Sequence, residues 1–232
     1  MFLLTLVVFI EGGGSPLSLL WGIISTYILH YSFTTQYIWL AAGFTYICNG
    51  LFLELFPGKW LQKKKYSLDL AQIFPIVGLN FLSSYLLTFV TLSEVTASEQ
   101  YACFCLLVAG IGNELIYASI HRLLHTKSIY KYHYLHHTQR SPRAFGAIYC
   151  SMFEMWVANL SSFVIPLYLL NAPSAIFLIW IVSGIQTTQL HHSNKKYFWC
   201  IGNQPQFHDD HHAYINKNFG NLGFLERLFH AD

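Results

Sequence analysis

Long apolar runs separated by short polar turns set the plan of this chain. Leu17–Tyr31 and Tyr37–Phe56 are joined by Ser32-Phe33-Thr34-Thr35-Gln36, and Pro57-Gly58 closes the second run. Ile73–Leu92 and Tyr101–Ile120 form another pair around Ser93–Gln100. A bilayer core of about 30 Å takes about 20 helical residues, so these four runs predict four spanning helices. Val157–Leu170 and Ser174–Leu190, joined by Asn171-Ala172-Pro173, are shorter. They read as a shallow hairpin that leaves and returns on one side, with two full spans as the alternative. Met1–Ile10 is apolar but too short to cross, and reads as an interfacial lead-in. The predicted fold is therefore all-α and multi-pass. It is one domain over 1–232, with membrane helices in 1–120 and a histidine-rich helical cap in 121–232 that includes the hairpin 157–190.

Composition agrees with that plan. Only 10% of residues are charged and 54% are hydrophobic, against about 25% charged in soluble domains. Lys and Arg are absent from 1–58, 66–121 and 144–194. The basic run Lys59–Lys65 sets the cytosolic side by the positive-inside rule, and the other basic clusters fall on that side too. Five cysteines without a CxxC pair support neither a disulfide framework nor a thiolate zinc site.

Histidine changes the picture. Of 12 histidines, eight fall in three boxes: His121 and His125; His133, His136 and His137; His208, His211 and His212. Positions i, i+3 and i+4 share a helix face, so each box can aim its imidazoles at one region. Neutral imidazole suits iron and zinc. Eight such ligands exceed what one metal takes and suit two held side by side. The boxes begin where the fourth membrane helix ends, so they predict a metal site just above the bilayer on the cytosolic side. Glu114 lies two turns before His121 on the same helix face. A carboxylate inside a membrane helix points to a functional partner, and here it is expected to orient a ligand imidazole. Glu154 is a similar case.

The three boxes resemble those of the fatty acid hydroxylase/sterol desaturase superfamily. Ile129-Tyr130-Lys131-Tyr132 and Phe145–Tyr149 ahead of Glu154 are similar to the sterol-oxidising members. The final box, with Asn216 and Asn218 after it, resembles the cholesterol 25-hydroxylase branch, with the methylsterol oxidases nearly as close. The resemblance covers about residues 70–232. It implies a ninth ligand in the His192-Ser193-Asn194 segment, assigned to His192, with His191 as the adjacent alternative. It also implies two Fe ions, with Zn possible in a preparation, and O2 as oxidant. The expected reaction is hydroxylation of a C–H bond in a sterol or related lipid. Electrons would come from cytochrome b5 or a reductase, at the endoplasmic reticulum membrane with the metal site facing the cytosol. No nucleic-acid partner is expected. The rival readings are a lipid desaturase on the same metals and a non-catalytic metal- and lipid-binding membrane protein.

Overall fold

The computed structural model describes residues 2–200 and 203–221. Helix α1 (Phe2–Glu11) turns at Gly13 and Gly14, both at positive φ, into α2 (Pro16–Ile28). Ser15 caps α2 by accepting the Ser18 N–H at 3.0 Å, with Pro16 at its first position. The two helices touch closely where Gly22 faces the Thr5 carbonyl: a Cβ there would lie 2.7 Å from that oxygen. Next come α3 (Thr35–Leu55), the short strand β1 (Lys59–Trp60) and α4 (Leu70–Ser83), which a capping box of Asp69 and Gln72 opens. A tight 3-10 stretch continues α4 to Phe89. Helix α5 (Glu99–Leu124), capped by Ser98, is the longest. Short turns lead through α6 (Tyr134–His137) to α7 (Met152–Glu154), a π-helical stretch Met155–Leu160, and α8 (Ser161–Leu169). The chain then enters α9 (Ser174–His191), β2 (Lys195–Lys196) and α10 (Gln204–Tyr214). Strand β2 pairs antiparallel with β1, Lys59 opposite Lys196.

Among the described residues, four helical segments are long and apolar enough to cross a membrane: Thr35–Leu55, Leu70–Phe89, Glu99–Leu124 and Met152–Leu169. Three match the predicted spans. The predicted span Leu17–Tyr31 instead forms α2, whose 13 residues reach about 20 Å. It packs back on α1, and Leu4 N–H donates to Glu99 at the start of α5. The fourth span comes from the hairpin, because the helical path starts at Met152 and passes unbroken through the π stretch.

The hairpin is thus deeper than a shallow loop. Its tip bridges Pro173 to Ser93, and Ser174 N–H donates to the Ser93 carbonyl at 2.9 Å. Phe33 N–H donates to Ser174 Oγ at 2.9 Å. The loops near 33, 93 and 173 therefore form one end of the molecule. The other end gathers β1, β2, the basic loop and the histidine boxes. There Asn194 donates to the Lys65 carbonyl, and Ser141 to that of Lys64. Of the two arms, Met152–Leu169 is long and apolar enough to cross a membrane, while α9 returns beside it through the middle of the bundle.

Helix α9 is the central pillar, with 14 of its 18 residues buried. It packs against α3, α1, α2 and α5. Its lower half is apolar, with Ile176 and Ile179 inaccessible beside Leu4, Leu106 and Leu167. Its upper half is polar and tied to α3: Asn49 donates to Gln189 Oε1 at 3.0 Å, and Gln189 donates to the Tyr46 carbonyl at 2.9 Å. Such interhelical bonds average about 0.6 kcal/mol in membrane proteins, so they set register more than stability. The outer faces carry Leu40, Phe44, Ile47, Leu79, Phe104 and Ile111, all exposed. A belt of that size on α3, α4 and α5 is the surface a bilayer covers.

The two ends should lie on opposite sides of the membrane. In sealed vesicles, a membrane-impermeant thiol reagent should label Lys64→Cys and Val95→Cys from opposite sides. Labelling of both from one side would refute this topology.

Candidate metal centre

The nine histidines singled out from the sequence come together in two groups. His121, His125, His133, His137 and His211 form one; His136, His192, His208 and His212 form the other. Within each group, one ring nitrogen per residue lies within 4.8 Å of all the rest. Of the adjacent pair at 191 and 192, His192 belongs to the second group and His191 does not.

The boxes do not serve one group each. His133 and His137 go to the first group and His136 to the second; His208 and His212 go to the second and His211 to the first. Helix geometry explains the split. At about 100° per residue, i and i+4 nearly align while i+3 points about 100° away from i+4. Each HxxHH box therefore sends its i, i+4 pair one way and its i+3 member the other. The two groups are interlocked through α6 and α10.

The spacing of the nitrogens decides what the groups can hold. His121 Nε2 lies 3.0 Å from His133 Nε2, and His133 Nε2 lies 2.9 Å from His137 Nε2. His137 Nε2 is 3.2 Å from those of both His125 and His211. In the second group, His192 to His208 is 2.9 Å, His208 to His212 3.0 Å and His136 to His192 3.4 Å. Metal–nitrogen bonds of about 2.1 Å place neighbouring ligands about 3.0 Å apart at right angles and about 3.4 Å apart at tetrahedral angles.

One proton per neutral ring cannot bridge every one of the contacts in the first group. His121 Nδ1 donates to the Phe219 carbonyl at 2.8 Å, His211 Nδ1 to Lys217 at 2.6 Å and His192 Nδ1 to Thr188 at 2.7 Å. In the neutral ring each of these leaves Nε2 as a bare lone pair. Burial keeps the rings neutral. It lowers His125 to about 4 and His211 to about 3, and pushes His136, His208 and His212 well down. Lone pairs converging at 3 Å in a dry site repel unless a cation lies between them. Both groups can therefore bind metal, and all-imidazole donors suit iron or zinc.

His133 Nδ1 lies 2.9 Å from Glu154 Oε1, both groups buried, although the approach falls short of a well-directed hydrogen bond. Glu154 stands where α7 passes into the π stretch, a local widening common at functional sites. Glu114, the acid expected to orient an imidazole, is buried on α5 and accepts the Asn221 N–H at 2.8 Å. The second nitrogen of His121 donates to the Phe219 carbonyl. Asp209 accepts from Gln62 at 2.5 Å, and Asp210 pairs with Lys217 at 3.6 Å.

Residues 215–221 form a strap that sequence reasoning missed. Phe219 packs its ring against His121, His125 and His211 at 5.1–5.8 Å between centroids. The strap turns at Ile215 and Asn218, both at positive φ. Asn218 suits that conformation and a β-branched isoleucine does not. Asn221 anchors the strap on Glu114 and on Asn113, to which it donates at 2.8 Å. Its work is done mostly by main-chain carbonyls, which leave no side-chain signal.

An apolar cavity of about 170 Å³ runs between α3, the 84–92 stretch, 155–164 and α9. Its upper wall includes Thr188, whose carbonyl accepts from His192. The cavity thus ends beside the second histidine group.

Comparison with known proteins gives the chemical setting. The fatty acid hydroxylase family model matches residues 106–231. A fatty acid hydroxylase of Mycosarcoma maydis is 29% identical over 128 residues, covering 54% of this chain and 31% of that protein. Human fatty acid hydroxylase domain-containing protein 2 is 28% identical over 120 residues, 51% of this chain and 35% of its own length. A very-long-chain aldehyde decarbonylase of Oryza sativa is 29% identical over 124 residues, 48% of this chain and 46% of its own. The match thus spans less than half the length of these relatives. No solved structure matches. The family match takes in every histidine of both groups, and by it the chain belongs to the fatty acid hydroxylase family.

Proposed function

We propose that this protein is a di-iron, O2-dependent hydroxylase of a membrane lipid, with the nine histidines as its metal ligands. The observation that carries the reading is the pair of interlocked all-histidine groups at the end of an apolar intramembrane cavity. Two iron ions held there would supply O2 activation and the oxidising power for an unactivated C–H bond.

The chain's own residues do the rest. His121, His125, His133, His137 and His211 would hold one ion, and His136, His192, His208 and His212 the other. The carbonyls of Phe219, Lys217 and Thr188 fix the tautomers of His121, His211 and His192 by taking their Nδ1 protons. Glu154 stands 2.9 Å behind the His133 ring and, once it accepts the Nδ1 proton, would raise the ring's basicity. Phe219 keeps water from the first group, and the cavity walls present the lipid dry to the second. One oxygen atom enters the lipid and the other leaves as water, which requires two electrons and two protons. The sequence resemblance points to cytochrome b5 or a reductase as donor, at the cytosolic face of the endoplasmic reticulum. It also favours a sterol or related lipid as substrate. Among the relatives, two bear hydroxylase names and one is named a decarbonylase, so hydroxylation is the outcome best supported here.

Three outcomes are expected. Iron-loaded protein should bind one ion per histidine group, hence two per chain. His125→Ala and His136→Ala should each lower that content by half or more while the protein still inserts, as read by metal analysis of purified protein. Full occupancy in either variant would remove that residue from the ligand set. Lipid mass spectrometry of a eukaryotic host should show a product one oxygen heavier with wild type and none with His136→Ala. A product lacking two hydrogens would make the enzyme a desaturase. Finally, Glu154→Gln should reduce turnover by roughly 10–100-fold, the usual cost of losing an outer partner of a ligating histidine. Unchanged kinetics with unchanged iron content would deny Glu154 that role.

A further inference from the structure

The cavity beneath the second histidine group has a shape that bears on what it takes. On α3 its wall runs from Thr35 to Tyr46, and on α9 from Phe177 to Gln189. At ~1.5 Å per residue the slot is about 17 Å long. Its volume is only about 170 Å³. A compact cavity of about 150 Å³ accommodates one benzene ring. The same space drawn out over the depth of α9 is long and narrow, a shape that suits an extended hydrocarbon chain better than a broad skeleton.

One glycine sits at the narrow point. Gly184 on α9 and Phe163 on α8 both line the slot, and a Cβ on Gly184 would overlap the Phe163 ring. The ring cannot recede freely. Trp180 packs on it at 5.5 Å and donates its indole N–H to the Phe163 carbonyl at 2.9 Å. Leu87 and Leu92 on one side, and Leu160 and Val164 on the other, are half-exposed lining residues. They mark a lateral opening towards lipid at the depth of Phe163.

We propose that Gly184 and Phe163 form a width filter in this slot, admitting one extended hydrocarbon chain from the bilayer and excluding a fused-ring skeleton. The chain lies along α9 and brings a methylene up to Thr188, beside His192. This deepens the hydroxylase reading and rests on it for the fate of that methylene, but the filter itself acts on binding. It also departs from the sterol substrate that the sequence resemblance favours.

Binding therefore tests it without turnover. Purified full-length protein in nanodiscs is irradiated with a photoreactive long-chain fatty acid or a photoreactive sterol, and labelled peptides are mapped. The fatty acid probe should label 84–92 and 155–164 saturably in wild type, with competition by unlabelled fatty acid and not by cholesterol. Phe163→Ala should raise sterol labelling of the same peptides several-fold. Gly184→Ala should cut fatty acid labelling several-fold. Sterol labelling of the wild-type slot equal to that of the fatty acid would overturn the filter, as would an unchanged preference in Phe163→Ala. The wild-type comparison decides even where a variant fails to fold. If the labelling holds but no oxygenated lipid forms in cells, the hydroxylase reading falls and the filter stands. Oxygenated lipid with labelling outside the slot overturns the filter alone.

Discussion

Nine imidazoles, eight of them buried, bring ring nitrogens within about 3 Å of one another and repel wherever bare lone pairs meet, and most of the upper half of this molecule answers to that fact. Burial keeps the rings uncharged, so protonation cannot relieve the crowding. Carbonyls of the strap and of α9 take Nδ1 protons and turn Nε2 inward. The arrangement costs free energy empty and becomes favourable around cations. A metal bound there would therefore stabilise the fold of this end.

The membrane part serves as the frame. Without a hydrophobic drive between helices in lipid, packing and a few polar ties must set register. The ties lie in the upper half of α9, where Gln189 meets Asn49 and the Tyr46 carbonyl. That places His192 at a fixed height above the cavity. Arg143 adds a second brace: it pairs with Glu54 through two bonds of 3.0 and 3.1 Å and covers the Tyr66 ring. The brace holds the segment after α6 on the end of α3. Lys195 completes the joint, buried and donating to the carbonyls of Leu53 and Glu54 at the end of that helix.

The slot and the metal centre meet at one residue. Thr188 lines the cavity with its side and fixes His192 with its carbonyl. A substrate that fills the slot therefore touches the same turn of helix that orients a ligand. The apolar walls of the cavity thus end below the histidine groups.

Much was decided by the sequence alone. Long apolar runs define membrane helices because lipid forces backbone bonds to close locally. The HxxxH and HxxHH spacings define ligand clusters because helix periodicity is fixed by the same bonds. The charge gaps placed basic loops and histidines at one end. Tertiary structure decided the rest. Only packing made α2 a short partner of α1 and carried the 152–169 arm to the far end, because depth depends on what a helix lies against. Only the docking of α6 against α10 divided the boxes between two groups. His192 over His191, and Glu154 beside His133, rest on ring directions about 100° apart per residue, which composition and spacing cannot choose between. The strap from 215 to 221 works through main-chain carbonyls, and those are identical in every sequence.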